Sequence, residues 1–344
     1  MSDAAEKAEV LAKANWRSRL DNYRGLIAFL IVFILGCLFT PKAFDTHLPI
    51  FLSWQTQLDI LFEYCEYGLL ATGMTLVILT GGIDLSVGSV LGFAATLFSL
   101  LTIGYGWGIG AATLVVLGSG VVAGSISGIL ISKYKMQPFV ATLAMMTAAR
   151  GAAKLISGGI KVQPAARPWY HLQQDTPEFF RWMTKSLPGI GLKPASLLFI
   201  ICILAMAAFV AKSEYGRRIY AIGGNETASR LSGINVAKVK WMTYSLCAVF
   251  ASLAGIVNAC RQDIGDPEAG ATYELDAIAA VVIGGTSLSG GEGSLLFTVV
   301  GVLIIAYINK ILSLNAIQIA PRMIIQACII AAAVLIQRRK RGVT

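Results

Sequence analysis

Leu76-Val77-Ile78-Leu79-Thr80-Gly81-Gly82-Ile83-Asp84-Leu85-Ser86-Val87-Gly88 is an apolar run that stops at a pair of glycines, offers a few polar side chains, and opens a second apolar run. Val281-Val282-Ile283-Gly284-Gly285-Thr286-Ser287-Leu288-Ser289-Gly290-Gly291 does the same 203 residues later. Residues 81–88 and 284–291 share five of eight positions. Working outward, runs of this kind fill the chain. Hydrophobic residues make up 56% of 344 and charged residues only 14%, against about a quarter charged in soluble domains. A water-soluble fold has no interior large enough for that much apolar surface, so the solvent is a lipid bilayer.

A spanning helix needs about 20 apolar residues. Ten runs qualify as spans, some of them cut short at glycine-rich breaks: 25–40, 67–80, 85–104, 107–132, 138–158, 195–211, 241–260, 276–289, 294–313 and 322–337. The fold class is thus an all-α, polytopic membrane protein of about ten transmembrane helices. The first 24 residues are polar, with no small-residue cleavage site after the first apolar run, and do not read as a secretory signal. Cys37, Cys65, Cys202, Cys247, Cys260 and Cys328 are scattered, and His47 and His171 are the two histidines. That spacing supports neither a metal site nor a disulfide framework.

The net charge of +9 is not spread evenly. With the N-terminus in the cytoplasm, residues 1–24, 133–137, 212–240 and 338–344 and the turns 81–84 and 290–293 lie inside. They carry 17 basic residues against 8 acidic ones, while the remaining 11 basic residues face 11 acidic ones. This is the positive-inside bias. It places both termini in the cytoplasm and assigns the excess charge to topology and lipid head groups, not to nucleic acid. Reading 67–104 and 276–313 as single interrupted helices gives eight spans instead, but moves Lys133 and Lys135 outside. The resulting plan is a cytoplasmic arm (1–24), a transmembrane domain (25–337) with an extracytoplasmic insert (161–194) and a cytoplasmic loop (212–240), and a basic tail (338–344).

In this topology both breaks run from outside to inside and back, so the repeat is parallel, as in many transporters. Paired glycines interrupt a helix, and Asp84, Ser86, Thr286, Ser287 and Ser289 offer partners for the freed backbone groups. Irregular backbone at membrane depth is tolerated where it is buried in protein or lines water. One reading makes Gly81, Gly82, Asp84, Ser86, Gly284, Gly285 and Ser289 part of a conduction path or its inner gate. The other makes them tight cytoplasmic turns with capping side chains. Gly120, Gly124 and Gly128 form small-xxx-small steps that let another helix approach.

Within the cytoplasmic loop, residues 223–234 read as a short helix. Asn225 is a good N-cap, Glu226 suits the positive end of the dipole, and Gly233 is a C-terminal stop. Ala228, Leu231 and Ile234 form one apolar face, with Arg230 beside it. Such a helix either inserts into a groove on a cytoplasmic partner or rests on lipid.

Several blocks resemble the ribose- and galactofuranose-type permeases of bacterial carbohydrate ABC importers, within the branched-chain amino-acid/sugar permease superfamily. They are Gly73 to Gly88, Gln137-Pro138-Phe139-Val140-Ala141-Thr142-Leu143 with Ala149-Arg150-Gly151, Gly223 to Val236, and Glu274 to Gly285; the likeness covers about residues 60–337. The Gly-Ile-Asp-Leu-Ser-Val-Gly form is closer to the sugar branch than to the amino-acid branch. The resemblance implies a fold like the vitamin B12 importer permease, in the bacterial inner membrane. It implies a second permease copy or paralogue and an extracytoplasmic sugar-binding protein. It also implies ATPase subunits, holding ATP and Mg²⁺, docked on 223–234 as a coupling helix. This chain has no Gly-x-x-x-x-Gly-Lys-Ser/Thr loop of its own and reads as a transport subunit without enzymatic activity or cofactor.

A neutral sugar calls for hydroxyls, amides and aromatics along its path, without a deeply buried ion pair. Ser86, Thr142, Ser289, Asn309 and Gln326 are the candidates. The rival classes are a branched-chain amino-acid ABC permease and a proton- or sodium-driven secondary transporter. The latter needs membrane-embedded carboxylates, for which Asp84, Glu274 and Asp276 are available, each at a helix end. Arg150 and Lys154, in the outer half of the fifth span, either snorkel outward or line the vestibule beneath the binding protein.

Overall fold

The computed structural model describes residues 24–43, 47–164 and 175–338. The arm 1–24 and the tail 338–344 therefore lie outside the described residues apart from their innermost positions. In lipid a backbone must satisfy itself, which a helix does with its own hydrogen bonds, and the described residues form fourteen α-helices and no strand. In chain order these are α1 (Arg24–Phe39), α2 (Trp54–Glu63), α3 (Cys65–Leu79), α4 (Val87–Ser99), α5 (Ile109–Ser132), α6 (Pro138–Ser157), α7 (Glu178–Thr184), α8 (Pro194–Lys212), α9 (Glu214–Gly224), α10 (Glu226–Leu231), α11 (Val236–Gln262), α12 (Tyr273–Ile283), α13 (Leu295–Leu314) and α14 (Ile319–Arg338).

Each of the ten apolar runs overlaps one of these helices. Six helices are long and apolar enough to cross a bilayer: α4 with its π-helical extension to Gly104, α5, α6, α8, α11 and α13. Three more apolar helices are shorter, at Gly25–Phe39, Cys65–Leu79 and Ile319–Ile329. The run at 276–289 becomes α12, only 11 residues long. Both ends explain the shortening. The second glycine break stops it after Ile283, and the segment before it, 263–272, is irregular backbone laid along α4. Gly265 lies beside Ser99 and Gly270 against Gly88, and Gly265 exchanges backbone hydrogen bonds with Val162 at 2.8 and 2.9 Å.

At the centre stand α3, buried along its length except for Tyr67, and α11, which packs on α3, α4 and α5. A helix apolar all round belongs inside. Lipid provides no hydrophobic drive between helices, so close approach through small residues decides the packing. Gly73 sits on Cys247, and Gly255 on Leu91, Ala94 and Ala95. The glycine stripe of α5 also meets α11: Gly120 faces Ala248 and Ser252, Gly124 faces Tyr244 and Ser245, and Gly128 faces Trp241. Around this centre α6 packs on α4, α8 on α3, and α12 and α13 on each other. The described part of the insert 161–194 adds to the core. Its helix α7 buries Phe180 and Met183, and Phe180 stacks on Phe98 at 5.5 Å between ring centroids.

The glycine stripe has a built-in comparison. A β-carbon on Gly124 would lie 2.6 Å from the Cα of Ser245, whereas one on Gly118 of the same helix would meet nothing. Gly124→Val is expected to lower the melting temperature of detergent-solubilised protein, at an overpacking cost of about 1–3 kcal/mol. Gly118→Val should change stability by no more than about 0.5 kcal/mol. Equal effects of the two would show that α5 does not rest on α11 through Gly124.

Candidate functional site

The first break begins where α3 runs into Thr80 and Gly81. Gly81 N donates to Ile78 O at 2.9 Å, and Gly82 N reaches back to Val77 O at 3.1 Å, closing the helix with Gly81 at φ +76°. Asp84 is buried, and its Oδ1 accepts from Ser86 N at 2.9 Å and Ser86 Oγ at 2.6 Å. That turn starts α4 one residue later. Tyr244 of α11 presses on Gly82.

The second break uses the same devices. Gly285 N donates to Val282 O at 2.9 Å and Thr286 N to Val281 O at 3.2 Å, with Gly285 at φ +95°. Ser289 N then donates to Ser287 Oγ at 3.3 Å, in the position of the Ser86–Asp84 bond. The side-chain turns match at the 203-residue spacing read from the sequence, but the helix caps match at 204, pairing Gly81 with Gly285. α13 also restarts only at Leu295, leaving a longer segment, closed by Ser287 N to Glu292 O at 2.9 Å.

The two breaks touch. Gly291 N donates to Leu79 O at 3.0 Å, and Gly81 lies against Ser289 and Gly290. Gly81, Gly82, Asp84, Ser86 and Ser289 are thus brought together, with Gly285 exposed nearby and Gly284 packed on Phe297 and Thr298 of α13. The other candidates lie elsewhere. Thr142 is buried and its hydroxyl donates to Pro138 O at 2.8 Å. Asn309 donates to Ile305 O at 3.1 Å, and Gln326 donates to the Asp276 carboxylate. Asn309 and Gln326 share a small pocket with Ile283, Ile305, Ile308 and Ile329.

The short helix α10 follows directly on α9. Asn225 Oδ1 accepts from Ala228 N at 2.9 Å as the N-cap, and Gly233 closes the C-terminus at φ +84°. Glu226 binds Arg230 at 2.9 Å and Lys240 of α11 at 2.6 Å. The hydrogen bond from Lys240 is the main reason its carboxyl is held below the usual carboxylate range; burial opposes this and Arg230 supports it. The clasp is therefore fully present above the usual carboxylate pKa and is lost only as pH falls through the lowered value. Leu231 is 84% exposed and Ala228 is exposed beside it. Ile234 departs from the expected shared face. After Gly233 reverses the chain, Ile234 turns inward and packs on the core.

Sequence reasoning missed a polar network linking α3 and α11. Glu66 has no exposed surface, and its carboxylate meets Arg261 Nε at 2.6 Å and Asn258 Nδ2 at 2.8 Å. Lys310 pairs with Glu63 at 2.8 Å, and Tyr67 stacks on Tyr273 at 4.3 Å. The signal was one charge at the edge of each of two spans: Glu66 just before 67–80 and Arg261 just after 241–260. Arg150 also departs from the snorkelling reading. Arg150 does not snorkel: its Nη1 donates to Pro267 O at 2.5 Å and Ala269 O at 2.8 Å, satisfying the irregular segment before α12. Lys154 pairs with Glu268 at 2.6 Å.

The family profile described as "Branched-chain amino acid transport system / permease component" matches residues 57–334, which contain both breaks, α10 and the Glu66–Arg261 network. The chain belongs to this permease family. It is 37% identical over 323 residues to the ribose import permease protein RbsC of Escherichia coli (strain K12), covering 94% of this chain and 95% of that one. It is 40% identical over 294 residues to RbsC of Bacillus subtilis (strain 168), covering 85% and 87%. The galactofuranose transporter permease protein YtfT of Escherichia coli (strain K12) is 35% identical over 324 residues, covering 92% and 89%.

The buried pair yields a prediction. Arg261→Leu leaves Glu66 charged without its partner and is expected to destabilise the protein by about 3–5 kcal/mol. The double variant Glu66→Leu/Arg261→Leu removes both charges and should recover much of that loss. Melting of the purified variants checks this; a double variant no more stable than Arg261→Leu would show the pair is not what holds α3 to α11.

Proposed function

We propose that this chain is the membrane-spanning permease subunit of a bacterial ABC importer that moves a sugar or sugar-like solute inward by ATP-driven alternating access. The sugar reading rests on the relatives at 35–40% identity whose names carry ribose and galactofuranose. In this reading the chain makes ten crossings of the inner membrane with both termini in the cytoplasm, and pairs with a second copy or a paralogue. The 17-to-8 basic bias of the segments assigned to the cytoplasm supports that orientation. A cysteine at Lys135 or Arg230 should accordingly resist membrane-impermeant thiol reagents in intact cells, and labelling of either would overturn the topology.

The single observation that carries the mechanism is Leu231, standing 84% exposed on a helix capped at both ends, in a chain without a nucleotide loop. Residues 212–240 are the coupling loop, and α10 inserts into a groove of an ATPase subunit that supplies ATP and Mg²⁺. Asn225, Glu226, Arg230 and Gly233 hold the helix in shape while Ala228 and Leu231 make the contact. Gly81, Gly82, Asp84, Ser86, Gly284, Gly285 and Ser289 form the inner gate. Thr142, Asn309 and Gln326 serve the path from within the helix bundle. An extracytoplasmic binding protein delivers the solute, and this subunit carries out no covalent chemistry.

Leu231→Asp costs the isolated chain little, because Leu231 has no partner there, but it brings an unpaired charge into a docked groove at several kcal/mol. The variant is expected to reach the membrane at normal levels and fail to co-purify with its ATPase. Gly233→Val should act similarly, because a β-branched residue adopts φ +84° poorly. Full co-purification and normal binding-protein-stimulated ATP turnover in both would remove this loop from the mechanism. The family description favours a second substrate class, branched-chain amino acids. Melting shifts of the cognate binding protein with D-ribose, D-galactose, D-fructose, myo-inositol and L-leucine separate the two: a shift with leucine alone overturns the sugar assignment.

A further inference from the structure

Backbone from three separate segments meets at one point. The end of α3 contributes Leu79 and Gly81, the second break contributes Ser289, Gly290 and Gly291, and the end of α9 contributes Gly223 and Gly224. Gly291 N donates to Leu79 O at 3.0 Å. A β-carbon on Gly223 would collide with Leu79 O and with Gly291 N, and would lie 3.0 Å from the carbonyl carbon of Gly290. Gly223 is therefore a residue whose missing side chain lets α9 touch both breaks at once. A second tie runs beside it, from Tyr220 Oη of α9 to Gly293 O at 2.9 Å.

Two residues after Gly223 comes Asn225, the N-cap of α10. The path from the exposed helix to the breaks is thus a few backbone bonds and one hard contact, with no flexible side chain between. A side chain absorbs a displacement by changing rotamer, whereas backbone against backbone has no such freedom and passes the displacement on.

We infer that Gly223 is the positioning residue through which movement of α10 reaches both breaks: contact with Leu79 carries it to the first and contact with Gly290 and Gly291 to the second. The inference rests on the coupling role proposed for α10 and adds the route by which that coupling reaches the bundle. One input at the cytoplasmic surface then moves both breaks together.

The adjacent glycine supplies the control, because a β-carbon on Gly224 would meet nothing. The test uses the complete importer, with its ATPase and binding protein, in proteoliposomes. Uptake of labelled D-ribose, or of the panel sugar that shifts the binding protein, is divided by ATP hydrolysed. Gly223→Ala is expected to co-purify with the ATPase as the unsubstituted protein does and to keep hydrolysing ATP. Its uptake per ATP should fall by about tenfold or more, within the usual range of coupling between sites. Gly224→Ala should behave like the parent. A Gly223→Ala importer with unchanged uptake per ATP, or an equal fall in Gly224→Ala, overturns the inference. Should Gly223→Ala fail to accumulate in the membrane, Tyr220→Phe decides. It keeps the fold and removes the second tie, so a severalfold fall in uptake per ATP supports the route and unchanged uptake overturns it. The docking reading fails on a different readout, since co-purification of Leu231→Asp reports contact with the ATPase alone.

Discussion

When a helix stops inside a packed interior, its last carbonyls and the next amides lose both their helical partners and any water. Each such group left alone costs several kcal/mol, and much of this structure follows from how those groups are met. At the end of α3, Gly81 N and Gly82 N fold back onto Ile78 O and Val77 O, and Asp84 takes the amide of Ser86. Leu79 O is met from outside the segment, by Gly291 N of the second break. The first break is therefore completed by the second, and the two cannot separate without exposing a donor and an acceptor. On the other side of the bundle Arg150 performs the same task for Pro267 O and Ala269 O. Its charge is held there by two backbone carbonyls.

The same shortage of water sets how helices pack. Burial of leucine against leucine gains nothing over leucine against lipid, so attraction comes from close contact and from polar pairs. Both occur along α11. Its first and middle turns meet the glycines of α3 and α5, and its C-terminal end carries Asn258 and Arg261 to Glu66. A carboxylate with no exposed surface is stable there only because a guanidinium and an amide reach it together.

What the sequence made legible was local. Apolar runs, the glycine interruptions and the caps at Asn225 and Gly233 each depend on residues within a few positions of one another, so their spacing shows. The exposure of Leu231 was legible for the same reason, because the capped turn around it fixes which way it points. Ile234 was not, since a single left-handed residue between it and Leu231 reverses the chain and sends it inward. Glu66 and Arg261 stood at the edges of two spans 192 or more residues apart, where nothing local marks them as partners. Arg150 was misjudged because its acceptors belong to an irregular segment that sequence periodicity does not reveal. The one-residue change of spacing between caps and turns was hidden by the glycine pairs, since either glycine of a pair reads as the stop.

α10 has six residues, too few to hold together alone. Its order comes from outside: the Asn225 cap, the Gly233 reversal, the Glu226 clasp to Arg230 and Lys240, and Ile234 anchored in the core. An exposed leucine is ordinary on a protein surface. A single helical turn held in place by four separate devices, with its one large apolar side chain left free, is less so. Each device fixes position and adds little to bundle stability: the Glu226–Arg230 pair is solvent-exposed, and such pairs contribute at most about 1 kcal/mol. Geometry is thus what this arrangement preserves. The element it keeps in place adjoins, through Asn225 and Gly224, the point where both membrane breaks meet.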